Sequence, residues 1–358
     1  GGTFTDLVLY DEVKKDLWVN KVPSSAGDQT KGILTGLTEI LHTAGANPEE
    51  ILSLAQGSTI AINALLEGKT SKVGIIATQG FRDLLELRRQ RRPSLYDLFF
   101  QKPQPLVPRE LRLEVAERVD SQGEILQSLD EQETILALKQ LVASGVESIA
   151  VCFLFSFLNP QHELRVEELA KQIAPDHTIW LSHRVLPEFR EFERLSTTVC
   201  HAALGPVMRN YLNNLRDRMG QLGNNSPIYI MQSNGGITSP LSASERPGNT
   251  LFSGPSAGVI GGLHVGRLVG TEDLITLDMG GTSTDVCLIT NGAVSMVAEK
   301  EIAGNPIRTP MVDVNSVGAG GGSIAWIDTG GRIKVGPKSA GANPGPVSYG
   351  QGGLEPTV

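Results

Sequence analysis

The nine residues that open the chain, GGTFTDLVL, return at positions 280 to 288 as GGTSTDVCL, an offset of 279. In each copy two glycines free the backbone for a tight turn, threonine hydroxyls follow, and an apolar run continues beyond an aspartate. Backbone N–H groups and hydroxyls converging at such a turn form a concavity suited to phosphate oxygens. Either copy alone reads equally well as a plain β-hairpin. A duplicated loop of this kind is harder to explain as a turn, and it calls for two halves of the molecule that close over one ligand. In the second copy Leu277-Asp278-Met279 precedes the glycines, so Asp278 ends a strand two residues ahead of the turn. A carboxylate there can hold Mg2+ or orient a water at a phosphate. Asp6 and Asp285 occupy matching positions after the threonines, where each either touches the metal or fixes the hairpin backbone.

Composition narrows the class. The chain has 358 residues, more than the roughly 100–200 of one typical domain, which predicts two packed units. Its 40% apolar and 20% charged content excludes disorder as the main state, and no run approaches the length of a membrane span. The net charge of -8 is spread along the chain, which argues against a nucleic-acid partner. Cys152, Cys200 and Cys287 stand far apart without CxxC spacing, as core residues of a reducing compartment do, so a cytoplasmic address is expected. Of 40 glycines, 15 fall in residues 1 to 226 and 25 in residues 227 to 358, so the last third relies on turns or on backbone close to a ligand. The abrupt start at Gly1 and end at GGLEPTV lead to the expectation that residues are missing from both ends.

Up to about Ser182, short apolar runs alternate with helical patterns, the signature of an α/β fold. Strands are predicted at 3–10, 17–22, 72–77, 148–155 and 178–181, with helices at 30–43, 60–66, 131–143 and 161–172. Residues 88–118, with four prolines and no periodicity, read as an excursion from the sheet. Leu204, Val207, Met208, Tyr211, Leu212, Leu215 and Met219 form one apolar stripe, placing a long helix over 191–222 at the start of a second unit. Further strands are predicted at 228–231, 274–278, 285–289 and 324–328. The expected division is therefore 1–190 and 191–358.

Order and spacing of these pieces resemble the ASKHA ATPases, the superfamily of sugar kinases, chaperone ATPase domains, hexokinase and actin. That resemblance implies two ribonuclease H-like lobes with a nucleotide cleft between them. SGPSAGVIGGLHVG at 253–266 looks like its connector helix, and NSVGAGGGSIAW at 315–326 like its adenosine loop. A narrower resemblance runs through GGTFTD, GSTIAINALLEGK, TQGFRDLLELRRQRRPSLYDL, MQSNGG, SGPSAG, LDMGGTSTDV and IRTPMVDVNSVGAGGGSIAW, which are similar to the hydantoinase A / 5-oxoprolinase family. It implies ATP-dependent opening of a cyclic amide such as hydantoin, N-methylhydantoin or 5-oxoproline. Relatives carboxylate acetone or acetophenone, and members act with a hydantoinase B-type subunit or domain, as oligomers. A nucleotide-switched binding protein of the actin or chaperone type is the alternative outside enzymes.

On this reading Gly1, Gly2, Thr3, Thr5, Gly280, Gly281, Thr282, Ser283 and Thr284 face the phosphates of ATP. Asp278 holds Mg2+, Asp278, Asp285 and Asp6 carry the chemistry, and Gly318, Gly320, Gly321 and Gly322 approach the nucleoside. Thr59 and Asn63, four apart on a helix, and Glu191 and Arg194, three apart, are weaker candidates for substrate contact. Capping and a solvated ion-paired face explain those two pairs at least as well. Arg88, Arg89, Arg91 and Arg92 suit phosphates or an acidic partner, or simply a solvated turn. Two decoys fail. Gly68-Lys69-Thr70 ends like a P-loop, but Asn63 stands where the first glycine belongs. Gly318-Ala319-Gly320 starts a dinucleotide fingerprint, but Ser323 replaces its third glycine and Ala340 the ribose-binding acid. The six histidines show no metal-binding spacing.

Overall fold

In the computed structural model, residues 4–24, 28–91, 96–281, 283–341 and 344–358 are described, together making a mixed α/β protein. It opens with a hairpin, β1 (Phe4–Tyr10) and β2 (Leu17–Pro23), which packs on helix α1 (Gln29–Ala44). Asp28 caps α1 by accepting from the Thr30 amide at 3.2 Å, and Gly45 ends it in a left-handed turn at φ 65°. Strand β3 (Leu54–Gln56) and helix α2 (Ile60–Leu66) follow, then β4 (Val73–Thr78), a short helix α3 (Leu84–Leu87), β5 (Arg112–Val115), β6 (Arg118–Val119) and β7 (Ile125–Gln127). Helix α4 (Glu131–Ala143), β8 (Ser148–Cys152), α5 (Gln161–Ile173), β9 (Thr178–Leu181) and α6 (Ser182–Val185) complete a parallel sheet of order β5-β4-β8-β9. Strands β4 and β8 are buried at every residue, which is why they read as continuous apolar runs.

Two expectations change here. The excursion does not last to residue 118, because β5 joins β4 in parallel, with Ile75 opposite Arg112. The charges of Arg-Leu-Glu-Val hid that strand. Arg112 is buried, donating to the Val107 carbonyl at 2.9 Å and to Glu86 at 3.3 Å. Strand β8 stops at Cys152, short of the predicted Phe155. The Phe153 amide turns away to Glu163, the Leu154 amide to the Thr78 hydroxyl, and Phe155 takes φ 52°.

Helix α7 (Glu191–Gln221) is the axis of the molecule. Its first half, from Phe192 to Ala203, packs with the parallel sheet, and from Leu204 to Met219 it packs with α1, α2 and β10. A helix expected to open the second unit is thus shared between two cores. Gly205 lets Trp180 lie against the helix, since a Cβ there would fall 2.3 Å from the indole ring.

Beyond α7 come β10 (Ile228–Met231), β11 (Ile237–Thr238), α8 (Pro240–Glu245) and α9 (Ser253–Leu268). Strand β10 pairs in parallel with β3, joining early and late parts of the chain. Eight strands follow: β12 (Leu274–Met279), β13 (Thr284–Thr290), β14 (Ala293–Val294), β15 (Met296–Ile302), β16 (Asn305–Val312), β17 (Asn315–Val317), β18 (Ser323–Ile327) and β19 (Ile333–Ser339). Several of them escaped the sequence reading because they are short or broken by bulges. Cys152, Cys200 and Cys287 are free and buried.

Candidate active site

The second repeat folds as the turn of the antiparallel hairpin β12–β13. Its register sets Leu277 opposite Val286, Asp278 opposite Asp285 and Met279 opposite Thr284. The Gly280 amide closes the turn on the Ser283 carbonyl at 2.9 Å. Asp278 and Asp285 therefore project side by side from one face, and like charges directly opposite each other destabilise a sheet. Asp285 accepts a hydrogen bond from the Ser316 hydroxyl on β17, which pairs with β13. Asp278 is exposed, and its carboxylate makes no hydrogen bond or ion pair among the described residues. Two carboxylates held together without a basic neighbour are an arrangement that a cation would relieve.

The glycine loop between β17 and β18 lies directly on this turn. The Gly321 amide donates to the Gly280 carbonyl at 2.9 Å and the Gly322 amide to the Gly281 carbonyl at 2.7 Å. A Cβ on Gly322 would stand 2.7 Å from the Gly281 carbonyl oxygen, so only glycine fits. Ser323 is buried and accepts from the Gly320 amide at 2.8 Å, whereas Gly318 has open space around it. The structure thus brings Asp278, Gly280, Gly281, Ser283, Asp285 and Gly318 to Gly322 into one cluster. Thr284 belongs to it differently from the expectation. Its buried hydroxyl donates to the Ala319 carbonyl at 2.6 Å, so it anchors the glycine loop and its proton is already committed.

The first repeat diverges from the second. Gly1, Gly2, Thr3 and, in the second repeat, Thr282 lie outside the described residues. The Thr5 and Ser24 hydroxyls share a hydrogen bond of 3.1 Å. Asp6, for which the sequence left open a metal contact or a role in fixing the hairpin, faces Lys21 across the hairpin in an exposed ion pair of 2.7 Å. The cross-strand partner is a lysine here and an aspartate in the second copy, so equal sequence position does not give equal electrostatics. Phe4 meets Tyr349 edge-on, 6.1 Å between ring centres, which ties the first repeat to the segment after β19. That segment returns to the glycine loop through the Ala340 amide, 2.8 Å from the Gly322 carbonyl.

Thr59 and Asn63 are half-buried at the start of α2, and the Asn63 side-chain NH2 donates to the Thr59 hydroxyl at 3.2 Å. Their loop is stapled to α9. Buried Ser253 accepts from the Ser58 amide at 3.1 Å and donates to the Ser58 carbonyl at 2.8 Å. Helix α9 lies on β12 with Gly266 against Leu274 and Gly262 against Thr276. Four helical residues advance about 6 Å and two strand residues about 7 Å, so the same register brings Gly258 level with Asp278. The Thr59 loop and the carboxylate pair thus flank the first turns of one helix.

Glu191 and Arg194 do not join this cluster. Glu191 is half-buried at the start of α7. Arg194 is fully buried and spends its guanidinium on the Phe153 carbonyl at 2.5 Å and the Glu188 carbonyl at 3.1 Å, beneath the Phe157 ring. It holds the end of β8 in place and is closed to a substrate. The arginine run is also largely used internally. Arg88 donates to the Gly304 and Pro103 carbonyls, Arg89 binds Glu193 with two hydrogen bonds, Arg91 is exposed, and Arg92 lies outside the described residues. Burial opposes ionisation of Glu193, but the Arg89 hydrogen bonds, a backbone hydrogen bond and the charges of Arg89 and Arg308 together hold its pKa below the usual carboxylate range. Sequence reasoning missed Glu193 and also Arg308, which bridges Glu188 at 2.9 Å and Glu299 at 2.8 Å. These pairs clamp the excursion, α7 and the β15–β16 hairpin together, and only their charge complementarity hinted at it.

Among the described residues no three His, Cys, Asp or Glu side chains form a metal cage. The Asp278–Asp285 pair fits a different mode, in which Mg2+ takes one or two carboxylates and completes its shell with phosphate oxygens and water.

The fold and this cluster define a mixed α/β protein with a glycine-lined anionic site. Two family profiles match in sequence: hydantoinase/oxoprolinase N-terminal region over residues 1–174 and hydantoinase/oxoprolinase over 194–358. The chain belongs to the hydantoinase/oxoprolinase family. It is 39% identical to the caprolactamase alpha subunit of Pseudomonas jessenii, covering 100% of this chain and 52% of that protein. The crystal structure of the ATP-dependent caprolactamase from that organism superposes with a TM-score of 0.88 over 100% of this chain and 52% of its own. Nucleotide-free acetone carboxylase, from work on ATP-dependent acetone carboxylation, has a TM-score of 0.84 at 28% identity, covering 99% of this chain and 52% of its own. 5-Oxoprolinase 1 of Arabidopsis thaliana is 35% identical over 99% of this chain and 30% of its own length. The chain thus spans about half, or less, of the relatives it matches. No helix among the described residues is long and apolar enough to cross a membrane.

Proposed function

We propose that the chain is the ATP-handling part of a cyclic-amide hydrolase, with ribonuclease H-like lobes, residues 1–190 and 191–358, closing on one nucleotide. The observation that carries this reading is the Asp278–Asp285 pair at the mouth of a turn hydrogen-bonded to a glycine loop. The relatives that open a lactam, caprolactamase and 5-oxoprolinase, support the substrate class. Amides are poor electrophiles because resonance puts electron density on oxygen. Bound Mg-ATP would supply a phosphoryl group to that oxygen, turning it into a leaving group and exposing the carbon to water.

In this scheme the chain's own part is positioning and charge control. Asp278 and Asp285 hold Mg2+, and Ser316 fixes the Asp285 carboxylate. Gly1, Gly2, Thr3, Thr5, Gly280, Gly281, Thr282 and Ser283 cradle the phosphates. Gly318, Gly320, Gly321 and Gly322 line the nucleoside, with Thr284 locking that loop through Ala319. Thr59 and Asn63, next to the Ser58–Ser253 staple, would meet the ring. Asp6 fixes the first hairpin through Lys21. A hydantoinase B-type subunit or domain completes the enzyme; the caprolactamase relative is itself named an alpha subunit, which implies a companion subunit for that protein.

The test is ADP release by the complete polypeptide with its companion subunit and Mg-ATP. The panel is hydantoin, N-methylhydantoin, 5-oxoproline, caprolactam, and ketone with bicarbonate. Stimulation by a ring alone is the expected result and names the ring. The resemblance to acetone carboxylase supports a second reading, a ketone carboxylase subunit. Stimulation only by ketone with bicarbonate would establish that reading in place of the first.

A further inference from the structure

One ring nitrogen near the end of the parallel sheet is left without a partner. Thr78, the last residue of β4, accepts from the Leu154 amide at 3.0 Å, so its own hydroxyl proton points to Glu117. Glu117, between β5 and β6, is buried, and its second carboxylate oxygen lies 2.8 Å from Nδ1 of His162 in the first turn of α5. A carboxylate set between these two groups accepts from both. That sets the neutral imidazole in its Nδ1–H tautomer and leaves the lone pair on Nε2. The His162 side chain is only 6% exposed. Its Nε2 makes no hydrogen bond among the described residues, yet it is not one of the fully enclosed unpartnered atoms, so the exposed fraction includes it.

His162 lines a cavity of about 540 Å3 over the first turns of α4 and α5. Arg165 on its wall is already taken up by two carboxylates. Its Nε and Nη2 bind the two oxygens of Glu131 at 2.8 and 3.0 Å, and its Nη1 binds Glu168 at 2.6 Å. The helix ends, which would otherwise favour an anion, have acceptors of their own. Asp130 accepts from the Glu133 amide at 2.9 Å, and the Asn159 side chain from the Gln161 amide at 3.1 Å. One guanidinium stands against two carboxylates on the wall, with Glu117 behind the imidazole, so the charge balance is negative and the acceptors are in surplus. Leu129 and Leu164, which pack on the core of the parallel sheet, give the cavity an apolar side.

An acceptor nitrogen fixed in place by a buried carboxylate, a wall of net negative charge and an apolar side together suit a ligand that donates hydrogen bonds, carries positive charge and has a short hydrocarbon body. We propose that this cavity binds a small primary ammonium ion, with one N–H donating to Nε2 of His162 and the alkyl body lying on Leu129 and Leu164. Glu131 and Glu168 favour the ammonium through their charge and disfavour carboxylates and phosphates by the same field. Thr78 and Glu117 are positioning residues, since they orient the imidazole without facing the ligand. The site shares no residue with the Asp278–Asp285 cluster, so it stands apart from the ATP chemistry.

The experiment is a calorimetric titration of the complete polypeptide with its companion subunit, in the absence of ATP. The probe is n-butylammonium, with 1-butanol and butyrate as its neutral and anionic counterparts. Butylammonium should bind saturably, at least about 10-fold more tightly than either counterpart, as a hydrogen bond from a charged donor predicts. His162→Asn puts a side-chain NH2 where Nδ1 stood, which keeps the donor to Glu117 and deletes Nε2. It should weaken butylammonium at least about 10-fold, with a thermal midpoint within about 3 °C of wild type. Exposed Ser128 lines the same cavity and takes no part in the Thr78–Glu117–His162 chain. Ser128→Trp should weaken binding by about 10-fold as well, by filling the space, and it decides the matter if His162→Asn fails to fold. Absence of saturable butylammonium binding, butyrate or butanol bound as tightly, or an affinity unchanged in either folded variant overturns the proposal.

Discussion

The parallel sheet β5-β4-β8-β9 and the hairpin sheet around β12–β13 solve opposite problems. In α/β folds the carboxyl ends of parallel strands are the usual place for a ligand, yet here those ends are filled by the protein's own polar groups. Thr78 donates to Glu117 and accepts from the Leu154 amide at 3.0 Å, and Glu117 shares a hydrogen bond of 2.8 Å with His162. Glu163 next door is wholly buried, yet His183, Ser182 and two backbone amides hold its pKa below the usual carboxylate range. Around β12–β13 the situation is reversed: paired aspartates face open space, and the turn's carbonyls are spent on a glycine loop. The first sheet has converted its polar groups into stability, and the second has kept its own available.

The sharpest way to break that contrast is to remove a carboxylate from the open sheet. Asp278→Ala or Asp285→Ala in the complete enzyme should lower ATP-dependent turnover by about 100-fold or more, the order expected when charge control at a phosphoryl-transfer site is lost. Thermal midpoints should hold or rise slightly, because relieving two like charges stabilises a sheet. Unchanged ADP release in both variants would remove the site from this hairpin.

The closed sheet should reveal itself through acid. His201 of α7 packs against Trp180 of β9, and burial, with Arg246 nearby, pushes its pKa down to about 3. The unfolded chain therefore binds this proton more readily than the folded one. The stability contribution is complete above about pH 6.5 and is lost as pH falls toward 3, by on the order of 1 kcal/mol per pH unit in between. Urea midpoints of wild type and His201→Gln, compared at pH 7.5 and 5, check it. Parallel pH slopes would show that His201 is not the group that titrates.

Glycine gives a smaller and more local test. Gly322→Ala puts a methyl group against the Gly281 carbonyl and should weaken ATP binding about 10-fold by parting loop from turn, while Gly261→Ala, with open space around it and away from loop and turn, should change it less than about 2-fold. Equal effects, read from ATP titrations, would mean that the hydrogen-bonded contact between loop and turn does not shape the nucleotide site.

What the sequence revealed follows the same division. Buried parallel strands announce themselves by unbroken apolar runs, so β4 and β9 were legible almost to the residue, as were α2 and α4 from their periodicity. Strand β5 was not, because Arg112 and Glu114 carry charges whose partners, Val107, Glu86 and the Gly80 amide, are set by tertiary contact. The repeat pointed to Asp278 and Asp285 through spacing alone. It could not show that Thr284 would turn inward to Ala319, or that Arg194, three residues from Glu191 and seemingly on an ion-paired face, would be wholly enclosed.

The smallest expected effect bears most directly on the duplication. Asp6 and Asp285 hold the same place in GGTFTD and GGTSTD, and a reading by sequence alone gives them the same weight. The structure sets Lys21 across from Asp6, in water, where an ion pair is worth at most about 1 kcal/mol. Asp6→Ala should accordingly leave turnover within about 3-fold of wild type, and Lys21→Ala should match it, because each breaks only that exposed pair. A loss as large as that of Asp285→Ala would mean that the first hairpin reorganises in the working enzyme, presenting Asp6 to the phosphates once the lobes close. The charge reversal Asp6→Lys with Lys21→Asp separates the two cases. It restores an ion pair that only fixes the hairpin, and it cannot restore a carboxylate needed at position 6.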